Sequence, residues 1–332
     1  MAYIKAISYY LPERIVTNEE LVSEFPEWTV DKIASKVGVD RRHVATVETA
    51  TDMAIKAASH LFDCHPEISI ESIDFILLCT QSPDYFLPSS ACIIQERLGI
   101  PTSCGAFDFN LGCSGYIYGL AVAKGLIAGN IAKNILLLTA ETYTKYIHPR
   151  DKGNRTIFGD AATATIVSTE GFAEIGDFSL GTDGRGMNNL IVQTGASRHS
   201  EKSNDLVFDE NGNPHSSDYL YMNGAEIFTF TQKNVPIVVR GNLIKNNLTL
   251  DDINMFIFHQ ANSYMLNFLR KKIKIDSQKF YVNMSDIGNT VSNSIPIALH
   301  DAYNRDLLHG DILICGFGVG YSWGAVTLNL RE

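Results

Sequence analysis

The chain has 332 residues, 45% of them hydrophobic and 19% charged, enough for a sizeable core in one large domain or two ordinary ones. A net charge of −10 argues against nucleic acid as a partner, because neutralising phosphates needs a concentrated basic surface. No apolar run reaches the roughly 18 residues of a membrane span, and no basic segment, apolar stretch and cleavage site open the chain, so the expected location is the cytoplasm.

Residues 1–10 read as a strand. The next element is a short apolar run at 74–78, typical of a buried strand, followed by a helical pattern over 89–98. A strand at 106–109 leads into a small-residue turn that opens a long helical pattern ending near Gly129, and another apolar strand follows at 134–138. The same succession returns later. A strand at 254–258 precedes a helix over 263–273, a strand at 280–283 enters a second small-residue turn and long helix ending near Gly310, and 311–315 is again an apolar strand. The interval from Asp74 to Asn134 is 60 residues and that from Asn254 to Asp311 is 57, so two similar βαβαβ blocks fit the chain. Residues 182–218, rich in Gly, Asn, Ser and Asp, read as an irregular connection between the halves.

Four segments at the ends of these strands could carry chemistry. In Asn110-Leu111-Gly112-Cys113-Ser114-Gly115 a strand gives way to a helix at the cysteine, and the positive end of the helix favours a thiolate nucleophile. Taken alone, Cys113 is equally readable as a packing cysteine, the glycines allowing close contact of strand and helix. In Phe258-His259-Gln260-Ala261-Asn262 a hydrophobic strand releases a histidine where an α/β sheet holds its ligands, although a lone His is more often structural. Asn289, in Gly288-Asn289-Thr290, stands in the second half where Cys113 stands in the first; by itself it also fits a helix cap or an Asx turn. Gly316-Phe317-Gly318-Val319-Gly320 follows the last apolar run, lacks the Lys-Ser/Thr of a phosphate loop, and suits a backbone N–H close to a reacting carbonyl. If the repeat holds, all four meet in one crevice. The cysteines at 64, 79, 92, 104, 113 and 315 show no paired metal spacing, most are expected in the core, and the Cys64-His65 pair is too few ligands for a metal.

These residues resemble the thiolase-like condensing enzymes, and among them most closely the 3-oxoacyl-[acyl-carrier-protein] synthase III family. The likeness runs along nearly the whole chain: residues 10–18, Gly38-Val39-Asp40-Arg41-Arg42-His43, Leu87-Pro88-Ser89-Ser90, the Cys113 segment, Phe158-Gly159-Asp160, His259-Gln260-Ala261-Asn262, Gly288-Asn289-Thr290 and Trp323-Gly324. The resemblance implies a five-layered αβαβα fold of two duplicated halves, 1–175 with the nucleophile and 176–332 with its partners, assembled as a homodimer. It implies catalysis by Cys113, His259 and Asn289, with the backbone N–H groups of Cys113 and Val319 as an oxyanion hole. Substrate contacts then fall to Leu87, Phe158, Met222, Gly224, Ala261, Asn262, Phe317 and Gly318. The implied reaction is a decarboxylating condensation: an acyl primer from acyl-CoA or acyl carrier protein is held on Cys113 and joined to malonyl-acyl carrier protein, without metal or redox cofactor. Arg270, Lys271, Lys272 and Lys274 form either a landing site for the acidic carrier or a solvated helix face.

Three features, at four positions, depart from the family pattern. Trp28 lies further from Gly38 than the tryptophan that stacks on the coenzyme A adenine, and Lys152 replaces an arginine of the same clamp, so coenzyme A is expected to be a poor primer donor. Val319 replaces a glycine, and Leu87 occupies the position through which one subunit walls off its partner's acyl pocket. Other readings are transfer of the acyl group to oxygen or nitrogen, condensation without decarboxylation, and a non-catalytic partner subunit; the complete Cys-His-Asn set disfavours the last. A papain-like hydrolase shares the residue types, but not the paired strand–helix repeats.

Overall fold

The computed structural model describes residues 1–330. Its main sheet has ten strands. The first half supplies β1 (Tyr3–Tyr10), β2 (Phe75–Cys79), β3 (Gly105–Phe109), β4 (Asn134–Glu141) and β5 (Ala161–Ser168). The second supplies β6 (Ala173–Thr182), β7 (Ile253–Phe258), β8 (Phe280–Tyr281), β9 (Gly310–Gly318) and β10 (Ser322–Leu330). Their order across the sheet is β8-β7-β9-β10-β6-β1-β5-β4-β2-β3. Counted outward from the centre, each half runs first, last, fourth, second and third strand, so the duplication extends to topology. The halves join where β1 and β6 pair antiparallel through Tyr3–Glu174 and Ile4–Ala173. The boundary expected between 175 and 176 therefore falls inside β6, and the irregular stretch at 182–218 is not a connection between halves but an insertion after the first strand of the second.

Six helices complete the layers: α1 (Ala50–Cys64), α2 (Ser90–Leu98), α3 (Gly115–Ala128), α4 (Gly224–Lys245), α5 (Ser263–Ile273) and α6 (Ser294–Asn304). In the central layer, Ile117 and Leu120 of α3 and Ile295 and Leu299 of α6 pack between Leu77 and Leu137 of one half-sheet and Ile257 and Ile314 of the other. On the outer face of the first half, Met53 and Leu61 of α1 and Ile94 of α2 cover Ile76, Leu78 and Leu136. On the second, Val239 of α4 and Leu266 of α5 cover Phe256 and Leu313. Alternate residues of the parallel strands thus point into two different cores, which is why their sequences are unbroken apolar runs. The result is the five-layered αβαβα arrangement that the resemblance implied.

Three local boundaries differ from the sequence reading. α3 begins at Gly115 with Ser114 as its cap, two residues after Cys113. A single 3-10 turn, Val291–Asn293, separates Asn289 from α6, which ends at Asn304 rather than near Gly310. The strand expected over 280–283 stops at Tyr281. Of the six cysteines, Cys79, Cys113 and Cys315 are buried, whereas Cys64 and Cys92 lie exposed on helices. Among the described residues no helix is long and apolar enough to cross a membrane.

Leu137 is fully buried under the central helix pair, so Leu137→Ala is expected to lower the unfolding free energy by ~2–5 kcal/mol in chemical denaturation. The same truncation at surface Leu307 should cost under about 1 kcal/mol.

Candidate active site

Cys113 is held at the seam between the halves. The turn after β3 closes with Gly115 N–H donating to Gly112 C=O at 2.8 Å, and this sets the cysteine just ahead of α3. β9 of the other half presses against it. A Cβ at position 316 would stand 2.8 Å from the Cys113 carbonyl oxygen, and one at 318 would stand 2.9 Å from the Cys113 Cβ and 3.1 Å from Sγ. Only glycine permits that approach; Val319, the next residue along, packs against the apolar cluster that includes Cys113 but does not line the cavity described below. Ser114 and Ser322 hydroxyls, 2.6 Å apart, tie the two backbones again. The thiol does not behave as the helix terminus alone suggested: burial, and secondarily the Glu141 carboxyl, push it up to about 12. Without substrate the nucleophile is a protonated thiol.

His259 leaves the end of β7 with its backbone N–H donating to Cys315 C=O at 2.8 Å. It is buried, and desolvation lowers its pKa to about 3, so the imidazole is neutral at any physiological pH. Its Nδ1 lies 2.7 Å from the Ser294 hydroxyl, the first residue of α6. Gln260 N–H donates to that hydroxyl oxygen at 3.3 Å, and Val291 C=O lies 3.1 Å from it. The single Ser294 proton has two acceptors in reach, Val291 C=O and Nδ1, and the tautomer follows from its choice: when it goes to Nδ1, the imidazole proton sits on Nε2.

Asn289 is fixed from both sides. Its backbone N–H donates to Ile157 C=O at 2.9 Å, and Gly159 N–H donates to its C=O at 3.0 Å, a short bridge to the segment before β5. Val291 N–H donates to Asn289 Oδ1 at 2.9 Å, which assigns the amide and leaves Nδ2 as the donor, 3.4 Å from Ala261 C=O. Val291 holds φ at +56° to aim that N–H, a rare conformation for a β-branched residue and a sign that the surrounding structure imposes it. Asn293 then ties the turn to the first half, donating to Ala161 C=O at 3.0 Å and accepting from Thr139 at 2.6 Å.

Cys113, His259 and Asn289 line one cavity of about 170 Å³. Phe158, Met222, Gly224, Ala261, Asn262, Phe317 and Gly318 are in its wall, as are Tyr143, Ile157, Leu190, Ile227 and Met265, which the sequence reading did not single out. Leu190 comes from the inserted segment; its only sequence signal was an apolar side chain in an otherwise polar stretch. Leu87, read from the resemblance as a wall of a partner's pocket, is 82% exposed beside Tyr85 and Phe86 and does not line its own chain's cavity. Arg270, Lys271, Lys272 and Lys274 lie toward the other end of α5, from about 8 Å along the helix past Met265 to about 18 Å past Asn262. Lys152 is spoken for, pairing with Glu27 and donating to Asn211 C=O at 3.2 Å, while Lys32 rather than Lys152 lies over the Trp28 ring.

Glu141, at the end of β4, is a fully buried carboxyl that pairs with no cation among the described residues. It accepts from Gln81 N–H at 3.1 and 3.2 Å and from the Ser82 and Ser292 hydroxyls, each at 3.2 Å. Burial outweighs these bonds and raises it to about 8. Between the ordinary value of 4.5 and about 8 the native state keeps a proton that the unfolded chain has lost. That contribution to stability is complete below 4.5 and is lost as pH rises through about 8. Glu141→Gln should flatten the pH dependence of the denaturation midpoint across this window. Because the ionised carboxylate also opposes the thiolate, the same variant should alkylate faster at Cys113 at alkaline pH, by about 3- to 10-fold in peptide mass spectrometry.

Two half-sheets around a shared helix pair, with a thiol from one half facing an imidazole and an amide from the other, define the class of thiolase-like condensing enzymes. Comparison with known sequences and structures narrows this to a family. The model of the 3-oxoacyl-[acyl-carrier-protein] synthase III domain matches residues 107–184, and that of its C-terminal domain matches 243–330. The beta-ketoacyl-[acyl-carrier-protein] synthase III of Clostridium perfringens is 37% identical over 324 residues, covering 97% of each chain. A 2.1 Å crystal structure of a 3-oxoacyl-(acyl-carrier-protein) synthase III superposes with a TM-score of 0.96 at 46% identity, covering 99% of both chains. A 3-oxoacyl-(acyl-carrier protein) synthase from Burkholderia xenovorans gives 0.90 at 35% identity, covering 99% of this chain and 94% of that one. The chain belongs to the 3-oxoacyl-[acyl-carrier-protein] synthase III family, acyltransferases that act by condensation.

Proposed function

We propose that this chain joins an acyl primer held on Cys113 to malonyl-acyl carrier protein, giving a 3-oxoacyl-acyl carrier protein that starts a fatty acid or related acyl chain. The observation that carries the reading is the neutral His259, 2.7 Å from Ser294, sharing a cavity with Cys113 and the oriented Asn289 amide. In the first half-reaction the Cys113 sulfur attacks the primer thioester, the thiol proton goes to the departing thiol, and an acyl-cysteine remains. The N–H groups of Cys113 and Val319 serve the tetrahedral oxyanion. In the second, malonyl thioester loses carbon dioxide, and His259 Nε2–H and Asn289 Nδ2 donate to its carbonyl oxygen as enolate charge develops there. The carbanion attacks the acyl-cysteine carbonyl, the carbon–sulfur bond breaks, and the released cysteine sulfur takes a proton from solvent. Only acyl groups, carbon dioxide and protons move, so the cycle calls on neither electron transfer nor a metal.

The engagement of Lys152 by Glu27 supports carrier-bound primers over coenzyme A thioesters, and Arg270, Lys271 and Lys274 are the proposed contacts for the acidic carrier. The exposed Tyr85-Phe86-Leu87 segment supports a homodimer in which Leu87 closes the acyl cavity of a second copy. Cytoplasmic acyl metabolism is the proposed setting.

Intact-protein mass spectrometry with a panel of acyl-carrier and acyl-CoA thioesters tests the cycle. The wild type should gain an acyl adduct that malonyl carrier protein removes with release of carbon dioxide, and Cys113→Ser should gain no thioester-linked adduct. Asn289→Ala should still acylate but consume the adduct about 10²- to 10³-fold more slowly. An adduct that malonyl carrier protein never consumes in the wild type would transfer the assignment to simple acyl transfer.

A further inference from the structure

A second cavity, of about 270 Å³, shares Phe158 with the catalytic one. Its walls are apolar at Val44, Ile147 and Phe158 and cationic at Arg42, Lys145 and Arg155, and no acidic side chain lines it. Arg42 is the unusual member. It is only 1% exposed, yet no carboxylate forms an ion pair with it among the described residues. Its Nη1 donates to Val16 C=O at 3.1 Å and its Nη2 to Asn18 Oδ1 and Thr156 C=O at 2.9 Å each, while Nε–H has no partner. Burial draws its pKa down to about 10, which still leaves it charged at neutral pH.

The nearest acidic groups are committed elsewhere. Asp40 accepts from the Ser285 hydroxyl, Glu20 pairs with Arg14, and Glu24 is held by both terminal nitrogens of Arg155. Asp160, behind the wall, accepts from Ala45 N–H and from the Thr144 backbone and hydroxyl. Lys145 is exposed and bonded only to the Glu48 carbonyl, so its ammonium has further protons to give. Asp40 and Glu20 favour the charged guanidinium only from a distance, with no carboxylate in contact, and an anion in this cavity would supply that contact partner while its apolar part meets the remaining walls.

We propose that this cavity binds a small carboxylate carried on a short apolar body, its head between Arg42 and Lys145 and its tail against Val44, Ile147 and Phe158. The probe is hexanoate, titrated by calorimetry onto the full chain, with inorganic phosphate as the control lacking a tail. Wild type and Lys145→Arg should bind hexanoate at up to millimolar concentration, Lys145→Glu should lose about tenfold or more in affinity, and phosphate should bind about tenfold more weakly than hexanoate. Lys145 is on the surface, so its reversal leaves the fold and the acyl cavity in place, and acylation of Cys113 in that variant should match the wild type. The proposal is overturned if hexanoate does not bind, if Lys145→Glu binds it as well as wild type, if phosphate binds equally, or if hexanoate competes with acylation of Cys113, which would place it in the catalytic cavity.

Discussion

Two backbones from opposite halves touch at Cys113, and the site depends on that contact. Gly316 and Gly318 let β9 press against the cysteine so closely that any side chain at either position would collide with it. The contact is answered from the other direction by the turn carrying Asn289, which reaches back through Asn293 to Thr139 and Ala161 and through Ser292 to Glu141. Each half therefore grips the other's reactive residue. The nucleophile is positioned by the half that lacks it, and the Asn289 amide is oriented partly by strands of the half that holds the nucleophile.

The resulting environment carries little charge at rest. Burial keeps the Cys113 thiol protonated and His259 neutral, and it holds a proton on Glu141 to about pH 8. Fixed dipoles aimed into a largely apolar cavity act most strongly on charge that appears only during reaction, and they require no reorganisation when it does. A carboxylate entering such a site is destabilised more than the neutral carbon dioxide that leaves, so the same low polarity favours loss of carbon dioxide from a malonyl group.

Much of this was legible from residue order. The strands buried on both faces stand out as apolar runs, their repetition exposes the duplication, and Cys113, His259 and Asn289 are conspicuous because each ends such a run. What escaped is instructive. Ser294 and Glu141 stand among other polar residues with nothing local to set them apart, and their roles depend on neighbours distant in sequence: Gln260 and His259 for one, Gln81 and Ser292 for the other. α4 is masked by Pro236 and its scattered polar residues, and the insertion at 182–218 looked like a connection because β6, just before it, belongs to the second half rather than the first. The helix-start argument for a thiolate at Cys113 was sound locally and was outweighed by burial, a term that no local sequence displays.

The two ends of the ten-stranded sheet are unequal. At one end β8 has only two residues, too short to template a neighbour; at the other β3 offers five, with Phe107 partly exposed. A sheet with a single usable edge cannot grow indefinitely by lateral addition. Were that edge to pair with its own copy, both free borders would be consumed and assembly would end at two chains, whereas two open borders would permit filaments. The brevity of β8 thus leaves the sheet one border fewer from which to grow.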